Sequence, residues 1–103
     1  FPAGSIRMGT IVRVVETLGN SQGLTTFSVG SGAPDFRMDL WGTGLARVAT
    51  VAPVGANNVG RAFSYEPTPM LDAGDVTITA DSGLFDADGL IRVLGLYTII
   101  GAA

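Results

Sequence analysis

The sequence predicts an all-β domain, an antiparallel β-sandwich of jelly-roll-like type with about seven or eight strands. Three observations predict it. No segment carries a 3.6-residue apolar period of helical length. The apolar runs are short, rich in Val, Ile and Thr, and several alternate with polar residues at period two. Most of the 15 glycines fall between those runs, beside Pro, Asn and Asp, where turns belong.

Residues 1–4 read as a turn. Residues 5–17 read as a long strand, with Ile6, Met8, Thr10, Val12 and Val14 on one face and Arg7, Ile11, Arg13 and Val15 on the other. A polar turn at 19–23 leads to a strand over 24–29, and 30–35 is a loop. Residues 36–41 form a short strand or a turn of helix, broken by Gly42 and Gly44. Residues 45–51 are extended or irregular, 53–58 a loop, and 59–65 a strand. Pro67 and Pro69 forbid a helix over 66–69. Residues 75–80 alternate cleanly, with Val76, Ile78 and Ala80 inward and Thr77 and Thr79 outward. Residues 81–89 are a turn-rich loop.

The closing run, 90–100, is unusual. One face carries Ile91, Val93, Gly95, Tyr97 and Ile99, and the other carries Leu90, Arg92, Leu94, Leu96, Thr98 and Ile100. Both faces are largely apolar, so both call for cover. A domain of 103 residues has one core and covers one of them. The other calls for a further sheet, segment or subunit. This strand and the first long one are the expected centres of the sheets.

Composition points the same way. The chain is 47% hydrophobic and 15% charged, against about a quarter charged in an ordinary soluble domain. Its mean hydropathy is +0.41. Its six basic residues are all Arg, which suits fixed, bidentate contacts to carboxylates at interfaces; replacement of Lys by Arg in a GC-rich genome gives the same composition. A net charge of −3 without a basic patch argues against nucleic acid and anionic membranes as partners. No run reaches the roughly 20 apolar residues of a membrane-spanning helix. The start Phe1-Pro-Ala-Gly4 lacks a basic leader region and an initiator Met, so the chain is expected to be a single domain, residues 1–103, at the C-terminal end of a longer chain, or a processed product.

The residue inventory narrows the chemistry. Without His, Cys or Lys there is no Ser-His-Asp or Cys-His arrangement, no Schiff base and no His- or thiolate-bound zinc. The expectation is a non-enzyme with no cofactor and no metal. Asp86 and Asp88 lie two apart in a turn, without the cleft that a pair of glycosidase carboxyls requires. They share a fragment of a calcium loop but lack its spacing and distal Glu; Asp and Gly also populate turns for local reasons. Trp41, beside a glycine-rich loop, and Tyr65 are the aromatics singled out for stacking on a glycan, against the alternative that they fill a core or an interface.

Four stretches carry a resemblance. They are Phe1-Pro-Ala-Gly4 with Ile11-Val-Arg-Val-Val-Glu-Thr17; Thr26-Phe-Ser-Val-Gly30 with Pro34-Asp-Phe-Arg37; Asn57-Asn-Val-Gly60 with Tyr65-Glu-Pro-Thr-Pro69; and Gly83-Leu-Phe85 with Gly89-Leu-Ile-Arg-Val93 and Tyr97. Together they resemble, in order, a C-terminal domain of virion proteins in tailed bacteriophages, prophages and gene transfer agents. The chain departs from that pattern at Thr79-Ala-Asp-Ser-Gly83 and in lacking a His shortly before Tyr97. The resemblance implies a β-sandwich in a head spike, fibre or tail-tip protein, located in the virion, and no catalytic residues.

The expected function is therefore structural. Homo-oligomeric packing, most often trimeric in fibres and spikes, and contact with other virion proteins would use Leu90, Arg92, Leu94, Leu96 and Ile100, with Arg–carboxylate pairs at the rim. The alternative is a glycan-binding module that recognises host surface polysaccharide through Trp41 and Tyr65.

Overall fold

The structure, a computed structural model, describes residues 1–33, 36–51, 54–55 and 68–99, with the backbone alone at residues 54, 55 and 68. Among these residues the fold is all-β, with two antiparallel sheets and no helix. The strands are β1 (Ser5–Glu16), β2 (Thr26–Ser31), β3 (Gly42–Ala46), β4 (Val54–Gly55), β5 (Thr68–Pro69), β6 (Val76–Ala80) and β7 (Leu90–Ile99). β4 and β5 are two residues each, which leaves five full strands, fewer than expected. The strand expected over 59–65 lies outside the described residues.

In the first sheet β1 is central. β7 runs along one of its edges, and β4 and β5 share the other, at Ile11–Val12 and Ile6–Arg7. In the second sheet β2 is central, between β3 and β6. The two layers enclose one core. Val12 and Val14 of the first meet Phe27, Val29 and Leu45 of the second, with Leu18, Leu24, Leu40 and Trp41 closing the ends. Val76, Ile78 and Ala80 pack against it from β6, as their alternation predicts.

β1 departs from its predicted pattern. Its register against β7 shifts between Arg7 and Gly9 and again between Val14 and Glu16, each time with one extra residue on β1. Each extra residue reverses which side chains face inward. The buried set is thus Ser5, Arg7, Thr10, Val12 and Val14, while Ile6 and Met8 are half-buried on the far side of the first shift. The second strand begins two residues later than expected, and residues 36–41 form a turn. Gly42 and Gly44, expected to break the chain, lie in β3. β7 is an edge strand in this chain and not a sheet centre: among the described residues its only partner is β1.

Candidate assembly surface

The pairing of β1 with β7 assigns the two faces of β7. Inward lie the pairs Val14–Ile91, Val12–Val93, Thr10–Gly95, Arg7–Tyr97 and Ser5–Ile99. Outward lie Glu16–Leu90, Arg13–Arg92, Ile11–Leu94, Gly9–Leu96 and Ile6–Thr98. The four described residues expected at an interface, Leu90, Arg92, Leu94 and Leu96, therefore share the outward face, and all are exposed. Ile100 lies outside the described residues.

The inward face is only partly used. Ile91 packs against the core, but Val93, Tyr97 and Ile99 remain 37%, 49% and 60% exposed. Among the described residues the second sheet ends at β6. Ile78 of β6 lines a cleft of about 330 Å³ with Leu18, Phe85, Leu90 and Ile91. Among the described residues, β6 and β7 are thus outer strands of their sheets on the same flank, and no further strand pairs with either there. At its Gly95 end the Phe1 ring fills some of the gap, with its centroid 5.5 Å from Trp41 and 6.4 Å from Tyr97, edge-on to the latter.

On the outward face Arg13 and Arg92 are direct cross-strand partners, bordered by Ile11 and Leu94 around a shallow groove of about 540 Å³. Like charges so placed repel one another. Other arginines serve the fold. Arg7 is 2% exposed with its guanidinium 5.0 Å above the Trp41 ring, and Arg47 donates to the Leu18 carbonyl at 2.9 Å. Arginine at an interface rim thus narrows, among these, to Arg13 and Arg92.

The residues singled out for glycan contact are not brought together. Trp41 is 3% exposed, closed in by Phe1 and Arg7, so it is core and offers no platform for a sugar. Tyr65 lies outside the described residues. Phe36, an aromatic candidate that the sequence ranked below Trp41, is the most exposed of the described aromatics at 71% and adopts a left-handed φ of 48°. The run Phe36-Arg-Met38 gave no period that could have marked it.

Asp86 has a local task. It accepts from the Ser21 hydroxyl at 2.7 Å, the Ser21 N–H at 3.1 Å and the Asp88 N–H at 2.8 Å, and these bonds hold its carboxyl below the usual range. The loop is thereby tied to the 19–23 turn. Among the described residues no three acidic side chains cluster to hold a metal ion.

Comparison with protein-family models, with curated proteins and with solved structures returns no match.

Proposed function

We propose that this chain is an assembly module, a structural component of a phage or phage-like particle in a head-spike or fibre position, acting through homo-oligomeric packing and contact with other virion proteins rather than through catalysis. The observation that carries the packing is the last strand. Six apolar side chains of β7 are between 37% and 60% exposed, three on each face. Isolated exposed apolar residues are ordinary; a continuous strand of them is not. The sequence resemblance supports the particle, and the two-layered antiparallel fold is compatible with the β-sandwich that it implies. That resemblance implies three copies. Burial of Trp41 removes the anchor of the glycan-binding alternative.

Light scattering on the purified chain at micromolar concentration tests the packing. A multimer is expected, and a monomer throughout that range overturns it. Mass spectrometry of purified particles tests the location: peptides of this chain are expected in stoichiometric yield, and their absence overturns the particle assignment.

A further inference from the structure

Resting on the assembly reading, we infer that the outward face of the β1–β7 pair is a socket for the 71–75 loop of another copy, with Arg13 and Arg92 receiving the Asp72 and Asp75 carboxylates and the groove beside Leu94 receiving Leu71. Arg13 and Arg92 are direct cross-strand partners, both exposed, and among the described residues neither guanidinium makes a hydrogen bond or an ion pair. Two like charges held side by side cost stability until an anion lies between them. The guanidinium fork fits a carboxylate, and Ile11 and Leu94 supply an apolar border that strengthens such a pair by excluding water. The socket therefore calls for a carboxylate carried beside an apolar side chain.

The 71–75 loop has that chemistry. Leu71 is 92% exposed, and Asp72 and Asp75 beside it are exposed, with carboxylates that form no hydrogen bond or ion pair among the described residues. Other described carboxylates suit the socket less. Asp39, Asp81 and Asp86 are engaged within the chain. Asp88 lines the cleft beside Asp86, and Glu16 already stands on the socket's own face, one pair along from Arg13 and Arg92. The loop is also fixed at both ends. The Met70 N–H donates to the Ser5 carbonyl at 2.9 Å, the Gly74 N–H to the Phe1 carbonyl at 2.8 Å, and the Gly32 N–H to the Asp75 carbonyl at 2.9 Å. A loop so held has little freedom left to lose on docking.

The occupant comes from another copy. The loop is anchored beside Ser5, whereas the arginine pair lies at Arg13, roughly 25 Å further along β1 at about 3.3 Å per residue. A loop pinned at both ends does not cross that distance. Nor does the socket serve itself: packed on its own counterpart at the arginine pair, it gathers four guanidiniums. Loop and socket are different surfaces, so the contact can repeat head to tail and close as a ring. Three copies, the number that the resemblance implies, form such a ring.

Charge reversal tests the contact. Arg13→Glu with Arg92→Glu, and separately Asp72→Arg with Asp75→Arg, are each expected to weaken association at least tenfold in light scattering. The far-ultraviolet spectrum is expected to stay unchanged, because all four side chains are exposed within one copy. The chain carrying all four reversals is expected to regain most of the association. The protein has no Cys, so introduced thiols report the geometry independently. Leu71→Cys co-expressed with Leu94→Cys is expected to give a covalent pair with a short bismaleimide, and neither variant alone to do so. A wild-type multimer that both double reversals leave intact, or whose loss the fourfold reversal fails to restore, overturns this contact and leaves the assembly reading standing. A monomeric wild type overturns both.

Discussion

Asp81 ties three strands together at the residue scale. At the end of β6 it accepts from the Thr26 hydroxyl at 2.6 Å, from the Gly44 N–H at 3.1 Å and from the Ser28 hydroxyl. Desolvation raises its pKa, but the bonds from Ser28, Thr26 and Gly44 outweigh it and leave the carboxyl below its usual 3.8. A carboxyl so depressed stabilises the fold fully above the unfolded value, and that contribution is lost as pH falls through the folded value. The thermal midpoint is therefore expected to drop on acidification below about pH 4, and Asp81→Asn to flatten that drop. At neutral pH the same variant is expected to lose about 1 kcal/mol in urea unfolding, the low end for charged hydrogen bonds because the site is solvated. Arg7 is the second informative residue. A sequence reading places an arginine in water, but the register shift puts this one under the core, against Trp41. Arg7→Met retains most of the packed volume, whereas Arg7→Ala opens a cavity. Ala is expected to cost about 2–4 kcal/mol and Met clearly less, measured by the same unfolding.

At the scale of elements, legibility depended on whether a strand keeps its period. β6 does: Val76, Ile78 and Ala80 lie opposite Ser31, Val29 and Phe27, and the alternation alone identified its inner face. β1 does not. Its extra residues reverse its faces twice, and a bulge leaves no mark in a binary pattern of apolar and polar residues. β3 was illegible for another reason. Gly42 and Gly44 have low strand propensity, and Gly44 sits at φ 68°, yet Asp81 grips its N–H and β2 pairs alongside. Tertiary hydrogen bonds there override local preference. The bulge in β1 has a testable consequence. Deleting Met8 restores strict alternation, so residues 5–7 must either turn Arg7 and Ser5 outward or break their pairing with Tyr97 and Ile99. The deletion is expected to cost at least about 3 kcal/mol, in the range of buried-network disruptions, or to abolish cooperative thermal unfolding. A normal transition would show that the shift is dispensable.

Across the whole molecule, the sequence showed both faces of the last strand to be apolar, expected the core to cover one of them and placed the strand at a sheet centre; among the described residues the inward face is covered only in part and the strand pairs on one side alone. Alternation reveals faces; it does not reveal neighbours. Whether a strand is central or at an edge depends on which other strands pair with it, and among the described residues only β1 pairs with β7. Among the described residues the two layers stop at β6 and β7 on one flank, with main-chain groups of β7 facing away from β1 at every second residue. In a lone copy those alternate amides meet solvent and exchange their hydrogens quickly, while the intervening amides, bonded to β1, exchange slowly. A second strand laid on that edge protects the first set and leaves the second nearly unchanged. Hydrogen exchange followed residue by residue, at two protein concentrations about a hundredfold apart, therefore tells association at the edge from association through a face. With the 71–75 loop of a neighbour seated on the outward face, the alternate β7 amides and β3 are expected to stay constant, and the amides of residues 71–73 to slow. Mass action sets the direction: a native state that exists only as an assembly gains stability as concentration rises. Uniform slowing throughout the chain would mean that association merely suppresses global unfolding, and slowing at alternate β7 amides would mean that a strand closes the edge in the assembled protein.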